Sequence, residues 1–166
     1  NAQCAAVGAM RRLDGLVAST SAGGRLYCCT AGGDVIVSEP GNPLVEAHRR
    51  RVQGATPLAL AVVTRPLYSG GFGRYPVYVF TDDGIYAIPQ TAAGALGEAR
   101  LVDRTVIDAS VAPVEGRNAV FMVSRHGHLC RLEGAVVVVC QRDVAPVALA
   151  WCGRHDELWM MRRGDV

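Results

Sequence analysis

The sequence predicts an all-β fold, and three observations lead there. Short runs rich in β-branched and aromatic residues recur along the chain. Glycine-containing turns separate them, and no apolar stripe persists at i, i+3, i+4 spacing. The runs also repeat. Leu26–Thr30, Val77–Thr81, Val120–Ser124 and Leu158–Arg162 each carry an aromatic residue at the second place: Tyr27, Tyr78, Phe121 and Trp159. Each ends on a polar residue and a tight turn, such as Gly32-Gly33, Asp83-Gly84 or His126-Gly127. Two β-rich runs flanking such a turn read as a hairpin.

Upstream of each hairpin lies a strand-like stretch of small and branched residues. Ala55–Val62 (ATPLALAV) matches Ala145–Trp151 (APVALAW) closely, and Leu13–Ser19 and Val106–Pro113 are looser versions. Small side chains suit a crowded place where sheets converge. A further strand follows each complete hairpin, at Val45–Gln53, Ala99–Asp103 and Ala135–Cys140. The unit is therefore a four-stranded antiparallel meander: small inner strand, aromatic strand, hairpin partner, outer strand. A meander repeated roughly every 40–50 residues is the pattern of a β-propeller blade.

The chain is read as a single propeller-like domain, 1–166, of about four blades. The units run roughly 13–54, 55–104, 105–143 and 144–166, the last incomplete. Residues 1–12 either supply a strand that closes a small ring or precede an arc cut from a larger one. The reading favours the arc, a partial ring or fragment. An open arc leaves apolar sheet faces at its ends, which invites a homo-oligomer through the open edges.

Composition narrows the function. Half of the 166 residues are hydrophobic, enough for a core, and the net charge of +2 is too small to draw nucleic acid or a membrane by long-range attraction. No apolar run reaches the length of a membrane span, nothing resembles a secretory signal, and the opening Asn is expected of an excised chain. All 17 basic residues are Arg. The six cysteines lack framework spacing and are read as reduced thiols.

Gly70, Gly71 and Gly73 precede Pro76 and a β-run rather than a helix, and the chain has no Lys, so a phosphate-binding loop is dismissed. That long connection holds Tyr68, Phe72, Arg74 and Tyr75, the first candidate binding surface. His48 and the run Arg49, Arg50, Arg51 form the strongest basic cluster, the second candidate, although charge on an edge strand also blocks aggregation. His126, His128 and Cys130 alternate, but His126 belongs to a turn and no fourth ligand follows, so no metal is assigned. Asp82-Asp83 and Asp156-Glu157 read as turn residues. Ser124, His155 and Asp156 share no triad logic, and Arg163-Gly164-Asp165 occupies a turn register. No catalytic residue and no cofactor is expected.

Ser38–Pro43 (SEPGNP), Gly71–Thr81 (GFGRYPVYVFT) and Asp83–Ala87 (DGIYA), in this order, resemble segments of phage and prophage virion-associated, tail-type proteins of gut Bacteroidales. The resemblance runs from about Gly24 to Gly134 and carries no catalytic residues. It implies a structural or interaction module that presents loops to virion components, in the virion or in the bacterial cytoplasm during assembly. The alternative is a glycan-binding or glycan-cleaving propeller, which needs acids and aromatics converging on the axis. Asp14 and Asp108 are the acids nearest the inner strands.

Overall fold

The computed structural model describes residues 14–63, 76–91, 93–117 and 119–164. Its strands form four antiparallel sheets in chain order. The first holds β1 (Leu16–Ala22), β2 (Arg25–Thr30), β3 (Asp34–Glu39) and β4 (Asn42–Arg51). The second holds β5 (Pro57–Val62), β6 (Val77–Thr81), β7 (Ile85–Ile88) and β8 (Arg100–Asp103). The third holds β9 (Val114–Glu115), β10 (Val120–Val123), β11 (Leu129–Glu133) and β12 (Val136–Gln141). The fourth is the hairpin of β13 (Pro146–Cys152) and β14 (Glu157–Arg162).

Each complete sheet is a meander in sequence order, the simplest product of hairpin turns between successive strands. First strands of neighbouring sheets touch one another, β1 with β5, β5 with β9 and β9 with β13, while the outer strands β8 and β12 also meet. The sheets are thus blades, stacked face to face with their first strands on a common side. This is the propeller arrangement expected from the repeat.

The second blade shows why the pattern folds so. Successive side chains of a strand point to opposite faces. Ala59, Ala61, Tyr78, Phe80, Ile85 and Ala87 face the third blade, where they meet Val120, Met122, Cys130 and Leu132. Leu60, Val62, Val77, Val79 and Ile88 face the first blade, where they meet Tyr27, Cys29, Val35 and Val37. Both faces are covered, so β6 is apolar at nearly every position and buried throughout. Each large aliphatic side chain so buried stabilises the stack by about 1.5–3 kcal/mol. Opposite Tyr78 and Phe80 the register places Ala61 and Ala59, so small residues make room for the rings. Tyr78 is fully buried and its hydroxyl donates to the Gly134 carbonyl oxygen at 2.8 Å, tying the second blade to the third.

One inner strand departs from the expectation. Val106–Pro113 does not form the first strand of the third blade; that strand is the two-residue β9, at Val114–Glu115. Ile107 makes a single bridge to Ser124, and then the Asp108 carboxylate accepts hydrogen bonds from both the backbone and the hydroxyl of Ser110. This local turn competes with the ladder and ends it.

Candidate interaction surfaces

The basic cluster sits on β4, whose register pairs Arg51 with Asp34, Arg50 with Val35 and Arg49 with Ile36. Alternation along the strand sends Arg49 and Arg50 to opposite faces. Arg49 donates to both carboxylate oxygens of Glu46, at 3.0 and 2.8 Å, and to Asp34 Oδ2 at 2.8 Å. The Glu46 hydrogen bonds, and then Asp34, hold its pKa above the ordinary arginine value. Arg50 donates to the Leu96 carbonyl at 3.1 Å and so ties the first blade to the second. Arg50 and Arg51, with Gln53, Tyr86, Glu98 and Ala99, border a hollow of about 290 Å³. The three arginines therefore divide their work, with Arg49 neutralised and Arg50 bridging blades, rather than forming one cationic stripe. The other candidates, Tyr68, Phe72, Arg74 and Tyr75, lie outside the described residues.

The turn acids hold structure. Asp82 Oδ1 accepts the Thr56 backbone N–H at 2.8 Å, and Asp83 Oδ1 accepts from Arg104 at 2.5 Å. Asp156 pairs with Arg117 at 3.1 Å, and the Ser124 hydroxyl oxygen accepts the His128 N–H at 3.2 Å. Ser124 and Asp156 are engaged with different partners, and among the described residues no hydrogen bond links Ser124, His155 and Asp156 into a triad.

His128 Nδ1 lies 3.2 Å from the Asp143 backbone N–H and 3.6 Å from an Asp143 carboxylate oxygen, so this side chain is tied to the turn after β12. Cys130 is buried, its thiol pKa raised by desolvation. No group of three or more His, Cys, Asp or Glu suited to a metal occurs among the described residues.

Sequence reasoning missed a cleft of about 650 Å³ between the second and third blades. Asp103, Arg104 and Thr105 form one wall, and Arg125, His126 and His128 the other. No local signal marks it, because its walls come from separate repeats.

Apolar exposure concentrates at the last hairpin. Trp159 and Met161 are 61% and 55% exposed, and with Ala148 and Ala150 they border a hollow of about 310 Å³. On the opposite face, Trp151 stacks on Phe121 of the third blade, with ring centroids 5.5 Å apart. Gly116 permits this stack, since a Cβ there would stand 2.6 Å from the Phe121 ring.

No family model matches the chain, and no curated protein matches it in sequence. Among solved structures it is similar to BamB from Moraxella catarrhalis, a β-propeller, with a TM-score of 0.52 and 13% identity. The match covers 76% of this chain and 38% of that one. At this identity the likeness bears on architecture alone, and it agrees with the blade order: the fold is that of a β-propeller.

Proposed function

We propose that this chain is a non-catalytic interaction module that presents blade edges and loops to a protein partner, as a structural, tail-type component of a phage or prophage virion. The observation that carries the interaction reading is the fold itself. Blades of a β-propeller bury their faces on one another, as the second blade does on the first and third, and leave their edges and connecting loops as the surface for contact. The virion setting rests on the resemblance of SEPGNP, GFGRYPVYVFT and DGIYA to tail-type proteins.

The test has two arms. Co-expression with the products of the adjacent genes should give a stable complex with a structural, tail-assembly protein. A glycan array and a glycosidase panel should give neither binding nor turnover; turnover overturns the reading.

A further inference from the structure

The second and third blades each have all four strands, yet a cleft stands between them. Ala59, Ala61, Tyr78, Met122 and Leu132 fill most of the space between the two sheets. β8 then leaves its sheet at Asp103 after only four residues, and the chain crosses to Ile107, which bridges Ser124. The cleft of about 650 Å³ opens between this crossing and the β10–β11 turn. Its frame is held by hydrogen bonds. The Arg125 N–H donates to the Val106 carbonyl oxygen at 2.9 Å, and the Gly127 N–H to that of Ser124 at 2.8 Å. Asp103 Oδ1 accepts the Thr105 N–H at 2.7 Å, and Arg104 is paired with Asp83.

The groups this frame leaves over are mostly donors. Arg125 is exposed, and among the described residues its guanidinium makes no hydrogen bond or ion pair. The exposed ring of His126 lies 6.2 Å from that of His128, centroid to centroid, close enough for both to reach one tetrahedral group. With His128 Nδ1 engaged at Asp143, Nε2 is the nitrogen left for a ligand. Asp103 is the single carboxylate of the lining, on the opposite wall, and Val102, Val106 and Val139 supply apolar surface. We infer that this cleft binds a small organic phosphate. The terminal oxygens of a phosphate monoester accept from Arg125, His126 and His128, with the guanidinium fork pairing in the bidentate manner. The body of the ligand lies along the three valines, and the second Asp103 oxygen is an acceptor for a hydroxyl on it. A cleft of this size suits such a ligand, since small-molecule sites run to about 300–1,000 Å³. Residues 1–13, 64–75, 92, 118 and 165–166 lie outside the description and carry four arginines against one carboxylate side chain, Asp165, so they bring little to meet these donors.

The site is independent of the interaction reading. Its test titrates the whole chain with phenyl phosphate in phosphate-free buffer and follows the ring C–H signals of its 4 histidines by NMR. The His126 and His128 signals should shift saturably, with a Kd at or below about 1 mM, while those of His48 and His155 stay in place. Arg125→Gln should weaken binding at least about tenfold, through loss of a charge-assisted pair. Arg154→Gln, at an exposed arginine in the turn of the last hairpin, should leave it unchanged. His126→Gln, with a loss of at least about threefold, replaces Arg125→Gln as the test if the latter fails to fold by its melting curve. Benzoate keeps the ring but has one oxygen fewer, and inorganic phosphate lacks the body, so each should bind at least about fivefold more weakly than phenyl phosphate. The absence of a saturable shift, equal shifts at all four histidines, or full binding by the folded variant overturns the inference. So does benzoate or inorganic phosphate binding as tightly as the ester.

Discussion

Tyr78→Phe removes a single oxygen from the interface between the second and third blades, and its consequence depends on pH. The hydroxyl is buried and donates to the Gly134 carbonyl at 2.8 Å. Without it, a buried acceptor loses its partner, which costs about 1–3 kcal/mol at pH 7. Burial also pushes the Tyr78 pKa up from 10.0 to about 12. Below pH 10 the group is protonated in both folded and unfolded chains, so its full stabilisation is present. Between pH 10 and 12 the unfolded chain releases this proton and the folded chain does not, which favours unfolding. Each unit is worth about 1.4 kcal/mol, so about 2.7 kcal/mol is lost across the window. Phenylalanine has no such loss. Urea unfolding of both proteins under reductant, from pH 7 to 12, should show the parent more stable at pH 7. The gap should close, or reverse, by pH 12. A gap constant across that range, or none at pH 7, refutes the reasoning. Tyr86 and the buried thiols titrate upward too, but they are common to both proteins and cancel.

Gly84→Ala should cost upwards of about 2 kcal/mol by the same unfolding assay, because φ is +142° there and the new methyl would collide with the Asp103 carbonyl oxygen. Met122→Ala, a fully buried side chain between the second and third blades, should cost about 2–5 kcal/mol through its cavity. Arg49→Ala should change stability by no more than about 1 kcal/mol, since its ion pairs are partly exposed, and the small effect should fade with added salt.

Much of the blade architecture was legible in local sequence. Alternation, the aromatic second place and the turn glycines act over a few residues, and they place β2, β6, β10 and β14 within one residue of where the runs begin. The third blade's first strand was not legible, because Asp108 and Ser110 form a turn inside a stretch composed like a strand. The fate of the arginine run was not legible either. Nothing in His48–Arg51 says that Arg49 meets Asp34 across the strand, or that Arg50 reaches the Leu96 carbonyl of another blade.

The sequence by itself determined strand, turn and repeat, because those depend on side-chain shape and backbone preference within one hairpin. Only the tertiary structure decided which faces are covered. Tyr78 and Trp159 hold the same place in their repeats, opposite Ala61 and Ala150, yet one is fully buried and the other mostly bare. The difference lies in whether another sheet stands against that face, and contact between units far apart in the chain leaves no mark in either unit alone.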